Sequence, residues 1–89
     1  MGSKRIINKL TSDGALFRCQ GILECLQSGD KDPHIIDALK NLIGDSVVIM
    51  GRKISSYAAA ALDILDVETY NGTDEEVIDL IPDLKAYVK

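Results

Sequence analysis

The hexamer RIINKL at residues 5–10 returns as HIIDAL at residues 34–39. A second pattern also recurs. GILECL at 21–26 resembles AALDIL at 60–65, in the order small, apolar, Leu, acid, apolar, Leu. A third copy of the first pattern lies in Val77-Ile78-Asp79-Leu80-Ile81, which parallels Ile35-Ile36-Asp37-Ala38-Leu39. Two kinds of amphipathic segment therefore alternate along the chain, A-B-A-B-A. A helical hairpin cannot bury its apolar face alone. Stacking it on a second hairpin makes a continuous core.

Apolar spacing and end signals predict five helices. The first covers about residues 3–11, with Ile6, Ile7 and Leu10 on one face. The second covers about 13–28, with Leu16, Cys19, Leu23 and Leu26 inward, Phe17 and Ile22 widening the stripe, and Gly29 ending it. Asp32-Pro33 is a start signal, because Asp caps orphan N–H groups and Pro fits the first helical position. The third helix then runs to about Ile43, burying Ile35, Ile36, Leu39, Leu42 and Ile43, and Gly44 ends it. The fourth runs from about Lys53 to Leu65, with Ile54, Tyr57, Ala58, Ala61, Leu62 and Leu65 inward. Asn71-Gly72 marks a turn. Thr73 to Glu76 reads as a capping box, with Thr73 the cap and Glu76 reaching back. The fifth helix follows, and Pro82 is placed to kink or split it.

Paired amphipathic helices at a period near 40, with AAAALDIL closing the second of a pair, resemble HEAT or armadillo-type repeats. The resemblance covers nearly the whole chain. The Val-Arg pair common at the start of HEAT second helices is replaced here by Ile54-Ser55, and the first unit has FRCQGILECL in place of the alanine run. The resemblance implies an all-α fold, a short α-solenoid of about two and a half HEAT-like hairpins in one domain, residues 1–89. An irregular five-helix bundle is the alternative.

The second hairpin carries ten extra residues. Leu10 to Leu23 is 13 positions, while Leu39 to Leu62 is 23. The insertion is DSVVIMGRKI, with Val47, Val48, Ile49 and Met50 consecutively apolar and Arg52-Lys53 following. It reads either as a loop or extra turn folded over the core, or as an apolar-plus-basic lip that contacts a partner.

Eighty-nine residues allow one small domain, which buries roughly 60–65% of its unfolded surface. Hydrophobic residues make up 46% and charged residues 27%, as in ordinary globular chains. No apolar run approaches the roughly 20 residues that span a bilayer, and no positive flank precedes an apolar core at the N-terminus. Met1-Gly2-Ser3 is given no meaning. Cys19 and Cys25 on one helix diverge by about 240° and about 9 Å, too far for a disulfide. Free thiols without a targeting segment fit the cytoplasm.

The net charge of −4 argues against a nucleic-acid binder. Residues 1–53 hold eight basic and six acidic side chains, whereas residues 54–84 hold eight acidic ones and no Lys or Arg. One end of the molecule is expected to be strongly negative, either as a solvated face or as a docking surface.

Catalytic and cofactor chemistry is absent from the pattern. Gly44 and Gly51 lack the companions of a phosphate loop. His34 falls in a first helical turn, pointing at solvent. The two cysteines do not converge as zinc ligands. An EF-hand counted from Asp66 places Asn71 and Val77 where glycine and glutamate are needed. The expectation is a non-enzymatic scaffold with no cofactor, no metal, no nucleic acid and no membrane. Its partner is an unidentified protein, one with basic patches. The residues expected to meet it are Val48, Met50, Arg52, Lys53, Asp66, Glu68, Asp74, Glu75 and Asp79. Two other readings stand beside this one: a self-associating homodimer, and a regulator touching DNA through Lys4, Arg5, Lys9 and Arg18.

Overall fold

The computed structural model describes residues 2–88, so Met1 lies outside the described residues. The chain is mostly helical: α1 (Gly2–Leu10), α2 (Ala15–Ser28), α3 (Pro33–Asn41), a 3₁₀ turn (Leu42–Gly44), β1 (Val48–Ile49), β2 (Arg52–Lys53), α4 (Ile54–Ile64) and α5 (Glu75–Lys85). It measures 35 × 25 × 20 Å. All five predicted helices are present, with ends within two residues of expectation.

Helix α4 is the centre of the fold. It packs on α2, α3 and α5, and Ile54, Tyr57, Ala58, Ala60, Ala61 and Leu62 are buried. A helix enclosed on several sides must be apolar nearly all round. Alanines let three neighbours approach it at once. The two echoed hexamers have matching environments. Ile6 and Leu10 are buried as Ile35 and Leu39 are, while Ile7 and Ile36 are half-buried. Helix α1 packs on α2 and on α3, and α2 packs on α4. Helix α5 lies mainly on α4, with a smaller contact to α2.

Helix ends follow local chemistry. Asp32 caps α3 by accepting from His34 N at 2.8 Å, with Pro33 at the first helical position. Gly29 closes α2 in the left-handed region, φ 67°. The capping box predicted at α5 is corrected. Asp74, not Thr73, is the cap, and it accepts from Glu76 N at 2.9 Å. Asp outranks Thr as a cap. The shift puts Glu76 one position too early to reach back, and its carboxylate instead accepts from Lys53 N at 2.6 Å. Pro82 sits inside α5 without splitting it.

Three burial expectations are also corrected. Leu16 and Phe17 are each 54% exposed, because they lie in the first turn of α2, and Phe17 folds back over Gly14. Ile43 is exposed, because the end of α3 tightens into a 3₁₀ turn, which changes the rotation per residue.

Candidate interaction surface

The ten-residue insertion is a β-hairpin. Val48 pairs with Lys53 and Ile49 with Arg52, antiparallel. The two turn residues, Met50 (φ 53°) and Gly51 (φ 82°), both have positive φ. This is the pattern of a type I′ turn, whose twist matches that of its strands. Glycine adopts the second position freely, but methionine is an unusual occupant of the first.

The hairpin's base is fastened by Asp45. Its Oδ1 accepts from Val47 N at 3.0 Å and its Oδ2 from Arg18 Nε at 2.9 Å, while its carbonyl takes Ser55 N at 2.8 Å. Val47 carbonyl accepts Ile54 N at 2.9 Å. The hairpin thus satisfies N–H groups at the start of α4, where no side chain caps the helix. Arg18 also donates to the carbonyls of Ser12 and Asp13 at 2.8 and 2.9 Å. Its side chain is 13% exposed and that of Asp45 is 16% exposed. Arg18 is therefore engaged inside the fold, and Arg5 and Lys9 both face Glu24. Of the basic set considered for DNA, Lys9 and Arg18 are partly buried in these pairs, whereas Lys4 and Arg5 are exposed.

The outer strand is clasped to α5. Arg52 pairs with Asp83 at 3.2 Å and Lys53 with Asp74 at 3.9 Å, beside the Lys53 N–Glu76 bond. That backbone donation, then the nearby Ser56 hydroxyl, hold the Glu76 carboxyl below the usual glutamate value. Ile49 packs against the core, and its carbonyl accepts from Tyr57 Oη at 3.3 Å. Val47, Val48 (58% exposed) and Met50 (71% exposed) remain outside. Of the expected partner-facing residues, Val48 and Met50 share the hairpin, and Arg52 and Lys53 join Asp74 through the clasp. Glu75 and Asp79 lie on the free face of α5, and Asp66 and Glu68 lie in the loop before it. Among the described residues, these last four carry no ion pair.

Sequence reasoning missed the groove that the clasp creates. Leu23, Tyr57, Leu80 and Leu84 line it, with Met50 and Arg52 on one side and Asp83, Ala86 and Tyr87 on the other, around about 580 Å³. No spacing rule joins α2, the hairpin and α5, so only the fold brings these residues together. A smaller cleft of about 310 Å³ lies between Ile43, Leu62 and Tyr70. Tyr70 is held there by its N–H to Asp63 Oδ2 at 2.8 Å, and its hydroxyl accepts Asp74 N at 3.0 Å.

The cysteines are buried and free. Burial, then the charge of Asp30, push the Cys25 thiol up to about 11, and burial also raises Cys19. A nucleophilic cysteine needs the opposite shift. His34 is exposed at the start of α3, 3.1 Å from Asp32. Among the described residues, no group of His, Cys, Asp and Glu is arranged to hold a metal, and no helix is long and apolar enough to cross a membrane. Comparison of the chain with protein-family models, with curated proteins and with solved structures gave no match.

Proposed function

We propose that this chain is a non-enzymatic protein-interaction module, built on two stacked HEAT-like hairpins and closed by α5. The packing of α1 on α3 and of α2 on α4 supports the stack. Helix α5 breaks the strict repeat, since a third unit would continue along α3, whereas α5 lies chiefly on α4.

The observation that carries the functional reading is the hairpin. A chain this small has little apolar surface to spare, yet three large apolar side chains of one rigidly fastened loop stay in solvent. Clustered exposed apolar residues rimmed by charge mark interaction sites. The carboxylates Asp66, Glu68, Glu75 and Asp79, which carry no ion pair among the described residues, favour a partner with basic patches.

The test uses a Val47→Ser/Val48→Ser variant, which changes surface residues only. Wild type and variant are compared for the host proteins they retain, and one retained protein is then titrated as a purified pair at two salt concentrations. The variant is expected to lose that protein, and binding is expected to weaken with salt. Equal retention by both forms overturns the reading.

A second reading is self-association. Leu16 and exposed Phe17 favour it, the latter beside a cleft lined by Arg5, Asn8, Lys9 and Ser12. Light scattering at high concentration is expected to show a dimer that Phe17→Ser dissociates. A clean monomer removes this reading.

A further inference from the structure

We propose that Asn71 is a self-modifying site, at which the side-chain amide is lost through a succinimide to give aspartate and isoaspartate, and that the isoaspartyl form loosens the start of α5. The site is independent of the interaction reading, since it needs no partner. Its only co-reactant is water.

Asparagine is a chemically labile residue, and the fold singles out one of the three in this chain. Cyclisation uses the backbone nitrogen of the following residue, and a hydrogen bond on its N–H opposes the reaction. Asn8 precedes Lys9, whose N–H lies inside α1. Asn41 precedes Leu42, whose N–H bonds the carbonyl of Ala38. Asn71 precedes Gly72 in the loop between α4 and α5, and both residues are exposed. Among the described residues, no hydrogen bond is made by the Gly72 N–H or by the Asn71 side chain. Glycine also lacks the side chain that would hinder approach to that nitrogen. Packing explains why glycine sits there: a Cβ on Gly72 would overlap the Tyr70 hydroxyl. That hydroxyl accepts from Asp74 N at 3.0 Å, and Tyr70 N–H donates to Asp63 Oδ2 at 2.8 Å.

The chemistry balances with water alone. Hydroxide removes the Gly72 N–H proton, and the nitrogen attacks Asn71 Cγ. The N–Cγ bond forms, the Cγ–Nδ2 bond breaks, and the departing nitrogen is protonated and leaves as ammonia. Water then opens the cyclic imide. Cleavage of the N–Cγ bond gives aspartate on an unaltered backbone. Cleavage between Gly72 N and the Asn71 carbonyl carbon gives isoaspartate, in which the chain runs through Cγ. The sum is amide plus water giving carboxylate plus ammonium, with no change of oxidation state.

Both products place a carboxylate on the cleft of about 310 Å³ that Asn71 lines with Glu68. Only isoaspartate lengthens the backbone. The added methylene falls inside the loop of chain that the Asp74 N–Tyr70 Oη bond closes. Asp74 is the cap of α5, and its side chain and carbonyl accept from the N–H groups of Glu76 and Ile78. Lengthening the closed loop displaces either the tyrosine hydroxyl or the cap, and the first turn of α5 then loses its acceptors.

The test incubates the full chain at neutral and at mildly alkaline pH and maps its asparagines by peptide mass spectrometry. Asn71 is expected to convert at a rate that rises with hydroxide, while Asn8 and Asn41 keep their amides. Asn71→Gln is expected to abolish the product, since its larger ring closes far more slowly. The isoaspartyl form is then separated and compared with Asn71→Asp, which carries the charge without the extra methylene. Several-fold faster amide exchange at Glu76 and Ile78, with a lower melting temperature, is expected of the isoaspartyl form alone. If Asn71 keeps its amide in the folded chain yet loses it in urea, or if Asn8 or Asn41 converts as fast, the site is overturned. If the isoaspartyl form exchanges like wild type, or Asn71→Asp frays α5 as much, the loosening of α5 by backbone lengthening is overturned.

Discussion

The link between α1 and α2 and the link between α3 and α4 solve the same problem differently. The first is four residues, 11–14, and the helices it joins approach so closely that a Cβ on Gly21 would lie 3.0 Å from Leu10 N and from Lys9 Cβ. The second holds a 3₁₀ turn and a hairpin between Asn41 and Ile54. Its contents are fixed by polar bonds to α4, α5 and α2. One hairpin unit is thus closed by backbone proximity and the other by a fastened insertion. The short link, Thr11 to Gly14, carries no apolar side chain, whereas the long one displays four, Ile43, Val47, Val48 and Met50. Arg18 joins the two, bonding the carbonyls of Ser12 and Asp13 in the first link and Asp45 in the second.

Arg18→Ala therefore gives the largest expected effect. It strands a partly buried Asp45 carboxylate and two carbonyls. Losing charged hydrogen bonds of this kind costs about 2–3 kcal/mol, measurable by urea unfolding. Arg18→Lys is expected to recover less than half, because an ammonium cannot reproduce the guanidinium fork. If Arg18→Ala costs less than about 0.5 kcal/mol, the two links are independent and the comparison fails.

Gly21→Ala and Ala60→Gly sharpen the difference between the units. Both positions are buried and occupy the same place in the echoed hexamers. Alanine at 21 meets the backbone of α1, so it is expected to destabilise by about 1–2 kcal/mol as an overpacking change. Ala60→Gly is expected to cost about 1 kcal/mol through helix propensity. If the first unit relaxes instead, Gly21→Ala will stabilise by that same propensity, and close approach is then not what holds α1.

These pairs show what was legible in the sequence and what was not. Helices, their starts at Pro33 and their stop at Gly29 rest on local chemistry, and they were readable. So was the equivalence of Ile6 with Ile35 and of Leu10 with Leu39, because periodicity reports the buried face. Residues 44–53 were not. The turn signal of a type I′ hairpin is Asn-Gly or Asp-Gly, and Met50-Gly51 hides it. Asp74 displaced Thr73 as cap because Asp is the better acceptor, and the Glu76 carboxylate then took Lys53 N, a partner 23 residues away that no local pattern reveals. The groove was invisible for the same reason: its residues come from three helices and a loop. The sequence reading named Val48, Met50, Arg52, Lys53 and Asp74 one by one, but not their grouping through the hairpin and the clasp.

Acid and base should separate the two regions further. The folded Cys25 thiol in the first unit holds its proton up to about 11, against 9.0 for an ordinary thiol. Its raised value contributes stability that is fully present below pH 9.0 and lost as pH rises toward 11. Cys25→Ser is expected to flatten that alkaline limb. In the native protein, thiol reagents are expected to label Cys19 and Cys25 only at the rate of unfolding.

The clasp in the second region responds oppositely and more weakly. The folded Glu76 value lies below the ordinary 4.5, so its contribution is present above pH 4.5 and lost as pH falls through the folded value. Glu76→Gln is expected to reduce the slope of stability against pH on the acid side while leaving the alkaline limb alone. The exposed Arg52–Asp83 pair adds less, about 0.5 kcal/mol or under, and should fade with salt. Arg52→Gln is therefore expected to leave the melting temperature nearly unchanged.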